Sequence, residues 1–300
     1  MGSDLAINYP TALHVFQQAD NWLGFSLSKL AWEGPPADLN DTINTQPALL
    51  VHSVAALYVI KELFPGFNPA IVAGHSMGEL SALVAAGALP FEDALYLVRK
   101  RGELMKKAGE SSPGGMAAIL GLHVSIVEQT CNEASTPDEV VQIANDNCPG
   151  QVVISGAIPA LDRALRIAQK KGAHRIKKLA VSIAAHSPLM AHAQEEFSQV
   201  VENAAIADPA VSFIGNVSAS FLRNAKQIKG DLQAQLNSRV RWTESIHTMI
   251  DHGITRFIEI GAGSVLTGLL KRIDPQVVGI AIGSHADINK LDSIISSSNK

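Results

Sequence analysis

Three observations predict an α/β fold. Apolar runs of strand length alternate with helical patterns along most of the 300 residues. A serine stands in Gly74-His75-Ser76-Met77-Gly78, between a short apolar run and a helical one. The stretch 116–182 reads β-α-β-β-α-β, the order of a ferredoxin-like unit. The expected architecture is a parallel-sheet core formed by 1–115 and 183–300, with 116–182 inserted as a ferredoxin-like small subdomain.

The elements follow in order. Thr45-Gln46-Pro47 opens an apolar stretch that reads as a helix capped at Thr45, with proline in its first turn. "AIVAG" (70–74) is a short buried strand, and a helix follows Ser76 to about Gly87. "PFEDALYLVRKRGELMKKAG" is the next helix, with acids early and bases late, as the helix dipole prefers. In the insert, "MAAIL", "VVQIAN", "QVVISG" and "RIKKLAV" read as strands, while "SIVEQTCNEA" and "PALDRALRIAQKKG" read as helices. After it come a helix from "SPLM", a strand "VSFIGNVSA", a helix "WTESIHTMIDHG", a strand "RFIEIG", a helix "GSVLTGLLKRI" and a strand "VVGIAI". Ser296–Lys300 reads as a frayed end.

Composition narrows the function classes. Hydrophobic residues make up 47% of the chain, enough for a sizeable core. With 24 basic and 28 acidic residues, gripping nucleic acid is not its main task. No uninterrupted apolar run reaches the ~18 residues of a membrane span. No basic-then-apolar leader opens the sequence, so a cytoplasmic location is expected. Cys131 and Cys148 read as small semi-buried side chains in a reducing compartment, and no Cys/His cluster has zinc spacing.

Gly-x-Ser-x-Gly on a strand-to-helix turn is a nucleophile elbow. The new helix presents free N–H groups and its positive end to the serine, and the Met77 N–H is a candidate oxyanion donor. The plainer alternative is a helix N-cap in a glycine turn. A serine needs a base, and spacing alone does not choose among 10 histidines. His75 adjoins Ser76 and is expected to point away. His14, His52, His192 and His247 lie in helical patterns and are expected to be partly exposed. His186 sits at a strand-to-helix junction, where α/β sites gather. Arg101 falls on the apolar stripe Ala94, Val98, Arg101, Met105 of its helix. A guanidinium there is costly unless paired, either internally with Glu79 or with a substrate carboxylate.

Seven segments carry a more specific resemblance. They are "TQPALL" (45–50), "GHSMGELSAL" (74–83), "RGELM" (101–105), "NDNCPGQVVISG" (145–156), "AAHSPLM" (184–190), "QLNSRVRW" (235–242) and "EIGAGSVLTGLLKRI" (259–273). In this order they resemble the malonyl-CoA:acyl carrier protein transacylases and the acyltransferase domains of polyketide synthases. The resemblance implies a hydrolase-like core with a ferredoxin-like insert. It implies Ser76 as acylated nucleophile, His186 as base, the Gln235 backbone carbonyl as its orienter and Met77 as oxyanion donor. Arg101 would hold the malonyl carboxylate, with Gln46, Met105, Asn145 and Asn147 lining the substrate site. The implied reaction is ping-pong, from malonyl-CoA to the thiol of acyl carrier protein, in a monomer needing no metal or cofactor. The basic cluster Lys170, Lys171, Arg175, Lys177, Lys178 is a candidate docking face for the carrier protein.

The sequence also departs from that family. Its members open with a strand and a segment "GQGSQ" ahead of one like "MG-x-DL", which Met1–Leu5 matches. Either the chain starts downstream of the native start, or a second oxyanion donor is missing, with apolar surface and backbone groups left uncovered. Ala262 stands where proline is usual. Ala185, before His186, leaves room for a branched extender, although malonyl is the expected group. Two other readings compete. One is a serine hydrolase using His252 or His285 with Asp208 or Asp251. The other is a carrier-protein-binding domain without catalysis.

Overall fold

The computed structural model describes residues 1–297 and is mixed α/β. Four short helices open it: α1 (Ser3–Asn8), α2 (Pro10–Leu23), α3 (Leu27–Glu33) and α4 (Pro36–Asn40). No element was expected in this stretch. The helices pack Leu5, Phe16 and Leu27 into the main core beside α5 (Thr42–Leu63). The start of α5 corrects the expected cap at Thr45. Asp41 is the cap, its carboxylate accepting the Ile43 N–H at 3.1 Å, and Pro47 lies inside the helix. α5 is long and apolar enough to cross a membrane, yet 67% of its most apolar window is buried inside the protein, as in a soluble core helix.

β1 (Ile71–Ala73), α6 (Gly78–Ala85) and α7 (Phe91–Ser111) follow as the pattern predicts. The inserted unit comprises β2 (Gly114–Leu120), α8 (Val124–Ala134), β3 (Val141–Cys148), β4 (Gln151–Ala157), α9 (Ile158–Lys170) and β5 (Arg175–Lys178). Its strands pair antiparallel in the order β3-β4-β2-β5, and α8 and α9 close a core of their own around Ile119, Val127, Ile154 and Leu161. β5 stops before Leu179–Val181, which the pattern had included. β3 has two irregularities, after Ile143 and after Asp146, and there its backbone reaches out of its own sheet. Asp146 N–H donates to Val240 O at 3.0 Å, and Val240 N–H to Ala144 O at 2.8 Å.

The rest of the chain gives a 3-10 turn (Pro188–Met190), α10 (Ala191–Asn203), β6 (Ser212–Ile214), β7 (Phe221–Leu222), α11 (Ala225–Gln235) and α12 (Trp242–Asp251). β8 (Arg256–Ile260), α13 (Val265–Ile273), β9 (Val278–Ile282) and α14 (His285–Ser297) complete it. Of the frayed end expected at 296–300, residues 298–300 lie outside the described residues.

The parallel strands form two pairs rather than one sheet. β1 runs parallel to β6, which pairs antiparallel with the unforeseen β7, and β8 runs parallel to β9. A cavity of about 500 Å³ is lined by every residue of β1 and of β8. Among the described residues, β1 and β8 each pair along one edge only. Ser81 Oγ and Trp242 Nε1, on two other residues lining this cavity, are buried without a partner.

Strand packing in the insert leaves no room at Gly156, where a Cβ would overlap the Val140 carbonyl. Gly156→Ala is expected to cost about 1–3 kcal/mol, as overpacking does. A lowered thermal midpoint in calorimetry is the expected reading, and an unchanged midpoint would contradict the packing.

Candidate active site

The site grows from the turn between β1 and α6. A Cβ at Gly74 would overlap the Gly78 carbonyl, so the chain can turn this sharply only with glycine there. Ser76 takes φ 51°, the left-handed region, at a cost of about 1–3 kcal/mol for a non-glycine residue. The parallel register pairs Ala73 with Ile214, so Asn216, two residues past β6, comes beside the turn. Asn216 Oδ1 accepts the Ser76 N–H at 2.7 Å, and Asn216 Nδ2 donates to Gly74 O at 2.6 Å. The Met77 N–H precedes the first turn of α6, where a helix leaves donors without intrahelical partners.

His186 is buried and also has a positive φ, 59°. Its Nε2 lies 2.8 Å from Ser76 Oγ. Its Nδ1 lies 2.8 Å from Gln235 O and 3.1 Å from Ser238 O. A carbonyl oxygen only accepts, so Nδ1 carries the proton and Nε2 offers its lone pair to the serine O–H. Gln235 ends α11, and its carbonyl is one of the four that a helix C-terminus leaves unpaired. The negative end of that helix favours an imidazolium. His186 is held from both sides of its backbone. His186 N–H donates to Leu236 O at 2.8 Å, and Gln142 Nε2, from β3, donates to His186 O at 2.8 Å and Asn237 O at 3.0 Å. Burial first, then the charge on Arg101, pushes the imidazole down to about 3.

Arg101 is buried on α7, on the stripe where the pattern placed it. Nη1 donates to Gln46 Oε1 at 2.6 Å, Nε to Gln235 Oε1 at 3.1 Å and Nη2 to Ser76 Oγ at 2.9 Å. Every one of these acceptors is neutral. The expected alternative, direct pairing with Glu79, is not made. The Gln235 side chain stands between, taking Arg101 on Oε1 and giving Nε2–H to Glu79 Oε2 and to Ser76 O. Burial brings the guanidinium down to about 10, so it is still cationic at neutral pH. Burial, with Asp231 nearby, raises the Glu79 carboxyl well above its usual range. Met105 Sδ accepts from Gln46 Nε2 at 3.5 Å.

Asn147 and Asn145 lie where β3 meets the core. Asn147 Oδ1 accepts from His75 Nε2 at 2.8 Å, and the His75 ring sits edge-on to Trp242, which turns it from Ser76 Oγ. Asn145 is buried, and its backbone bridges to Val240. His52, expected to be partly exposed, is buried because α5 lies in the core, and its Nε2 bonds Gly283 O at 2.8 Å. The hydrolase alternative is corrected. His252 bonds the Thr248 carbonyl within its own helix end, His285 bonds Tyr9, and Asp208 accepts the Ala225 N–H at the start of α11. Sequence reasoning missed Asn216 and Gln142. The strand reading "VSFIGNVSA" ran straight through Asn216, and no local signal marks either residue.

A base already neutral over the working range predicts a flat acid side. Phosphonylation of Ser76 by a serine-directed fluorophosphonate, with loss of fluoride, is expected to stay level from about pH 8 to about pH 5, rather than halving near the ordinary histidine value of about 6.5. A midpoint at the ordinary value, read from adduct rates by intact mass, would contradict the buried neutral imidazole.

Comparison with known proteins agrees over nearly the whole chain. Residues 1–281 match the family described as acyl transferase domain. The malonyl CoA-acyl carrier protein transacylase of Bacillus subtilis is 44% identical over 288 residues, 96% of this chain and 90% of that protein. That of Haemophilus influenzae is 42% identical over 295 residues, 98% and 94% of the two chains. Among solved structures, an acyl carrier protein S-malonyltransferase from Vibrio cholerae superposes with a TM-score of 0.94 at 40% identity, covering 97% of this chain and 94% of that one. A malonyl-transacylase in complex with a type II PKS acyl-carrier protein gives 0.93 at 38% identity, covering 97% and 93%. The chain belongs to the acyl transferase domain family.

Proposed function

We propose that this chain is a malonyl-CoA:acyl carrier protein transacylase, working by a ping-pong mechanism through a malonyl-Ser76 ester. The observation that carries the reading is the placement of Arg101. A buried cation whose three direct partners are all neutral touches the nucleophile itself. A carboxylate arriving there gains a charge-assisted, two-bond partner. An acyl group with a distal carboxylate is therefore held with its thioester carbon near Ser76 Oγ. The relatives named malonyl CoA-acyl carrier protein transacylase support malonyl as that group.

In the first half-reaction His186 Nε2 takes the Ser76 proton while Oγ attacks the thioester carbon. The C–S bond breaks, and the departing thiolate takes that proton from His186 as coenzyme A leaves. In the second half, the carrier-protein thiol gives its proton to His186 and attacks the serine ester. Oγ then departs and is reprotonated. The Met77 N–H is the donor assigned to the tetrahedral oxygen, and removing such a donor costs about 10²–10³ in rate. The Ser76 N–H is already committed to Asn216. A neutral carbonyl orients His186, which suits a reaction whose second nucleophile is a thiol. A thioester is exchanged for a thioester, so the overall step is close to thermoneutral. No metal or redox cofactor enters these steps.

The wider expectations belong to the same proposal. Residues 1–115 and 183–300 form a hydrolase-like core, and 116–182 a ferredoxin-like subdomain, a reading that the strand order β3-β4-β2-β5 supports. Free, buried Cys131 and Cys148 fit a cytoplasmic location, and a monomer is part of the same proposal. In the basic cluster, Lys171 pairs with Glu133 and Lys178 with Asp162, so Lys170, Arg175 and Lys177 carry the proposed docking charge.

Intact mass after mixing with malonyl-CoA tests the reading. A stable malonyl adduct on Ser76, discharged by acyl carrier protein, is expected. Free malonate without an adduct points to hydrolysis, and no reaction points to a binding domain. Arg101→Ala is expected to lose the preference for malonyl over acetyl thioesters, by about 10²-fold for a charge-assisted pair of about 3 kcal/mol. Unchanged relative rates would remove the clamp. Charge reversal by Lys177→Glu is expected to raise KM for the carrier protein and leave that for malonyl-CoA alone. An unchanged carrier-protein KM would remove the docking face.

A further inference from the structure

We propose that Asn216 is a positioning residue of the acyl transfer, its side-chain amide bridging the elbow and fixing the nucleophile's backbone. The inference rests on the function proposed above. Asn216 is 2% exposed, and all four of its hydrogen-bonding groups are taken. Oδ1 accepts from Ser76 N–H and Nδ2 donates to Gly74 O, so one planar amide grips the chain on both sides of His75. Its own N–H donates to Glu79 Oε1 at 3.1 Å, and its carbonyl accepts the Arg241 N–H at 3.0 Å.

Glu79 extends this hold to the rest of the site. Its second oxygen accepts from Gln235 Nε2. The backbone carbonyl of Gln235 fixes the His186 ring, and its side-chain oxygen takes Arg101. One chain of contacts, Asn216–Glu79–Gln235, therefore joins the backbone of the nucleophile to the base and to the anion clamp. Asn216 sits at the end nearest the strained residue. Without its amide, Ser76 N–H and Gly74 O lose their partners, and φ at Ser76 is free to relax. Oγ then shifts from its 2.8 Å contact with His186 Nε2. Gln46 and Gln235 still hold Arg101, so recognition of the carboxylate persists. The expected signature is a loss in the acylation rate constant and not in substrate affinity.

Rapid-quench intact mass with malonyl-CoA reads both. Asn216→Ala is expected to reach the wild-type adduct amplitude with a rate constant lower by about 10²-fold, the effect of displacing a reacting atom by about an ångström. Its half-saturating malonyl-CoA concentration is expected within about twofold of wild type. Asn216→Asp keeps an acceptor for the Ser76 N–H and lacks the donor to Gly74, so its rate is expected to fall between the two. A wild-type rate constant in Asn216→Ala overturns the inference. So does a loss confined to amplitude, which reports only a smaller folded fraction, or one confined to half-saturation. If Asn216→Ala fails to fold by circular dichroism, Asn216→Asp decides, and a rate equal to wild type overturns the proposal. If wild-type protein forms no malonyl adduct, the proposed function falls. The same three proteins compared with a fluorophosphonate then test Asn216 on Ser76 reactivity alone.

Discussion

The site depends on a backbone conformation. Ser76 is held at φ 51° at the end of a strand, a position that an unaided chain would leave. Everything near it either permits or enforces that angle. Gly74 permits it, because any side chain there would meet the Gly78 carbonyl. The start of α6 enforces it, with Gly78 N–H bonded to His75 O at 2.9 Å and Glu79 N–H to Ser76 O at 3.0 Å. Asn216 reaches in from just past β6 to take the Ser76 N–H, while the Met77 N–H stays free among the described residues.

Polarity around Arg101 follows a second constraint. A buried cation paired with a buried carboxylate is stable but closed to a new anion. Here the nearest acid, Glu79, lies one glutamine away. Its pKa is raised well above the ordinary carboxylate range, first by burial and then by Asp231. Gln235 turns its oxygen to the arginine and its nitrogen to the acid, which is the only amide orientation that satisfies both. The guanidinium is thus solvated by amides and a hydroxyl while its charge is left for a ligand. The same cation lowers the pKa of His186, so clamp and base are electrostatically coupled as well as adjacent.

What the sequence disclosed was what is local. The elbow, the inserted β-α-β-β-α-β unit and the core-facing arginine each lie within one stretch of chain, where periodicity and glycine spacing are readable. The choice of His186 among the histidines came from resemblance, because its contacts with Ser76 and Gln235 span over a hundred and about fifty residues respectively. Asn216 escaped for a related reason. Its position beside the serine is created by the β1–β6 register, and an asparagine after a strand is an ordinary turn residue. The cap of α5 was misplaced because Thr45 and Asp41 are both acceptable caps, and only the folded chain distinguishes them, with Asp41 accepting the Ile43 N–H and Thr45 Oγ1 donating to Leu39 O. Of the opening helices, α2 carries a readable stripe, Ala12, Val15, Phe16 and Ala19, that was overlooked, whereas α1, α3 and α4 are too short for a period to show.

The base obeys the same logic as the nucleophile, and the comparison says why the insert matters. Two left-handed residues, Ser76 and His186, face each other, and their strain amounts to about 2–6 kcal/mol together. Four hydrogen bonds are aimed at them: Ser76 N–H to Asn216, Asn216 to Gly74 O, His186 N–H to Leu236 O, and Gln142 to His186 O. At about 0.5–1.5 kcal/mol each they contribute about 2–6 kcal/mol, enough to offset the strain with little to spare. Three of the four come from the core, and the last comes from β3 of the insert. The irregularities after Ile143 and Asp146 let β3 leave its own sheet and bridge to Val240, and Gln142 stands just before them. The insert is therefore part of the frame of the site, because the angle at which His186 meets Ser76 is held partly from β3.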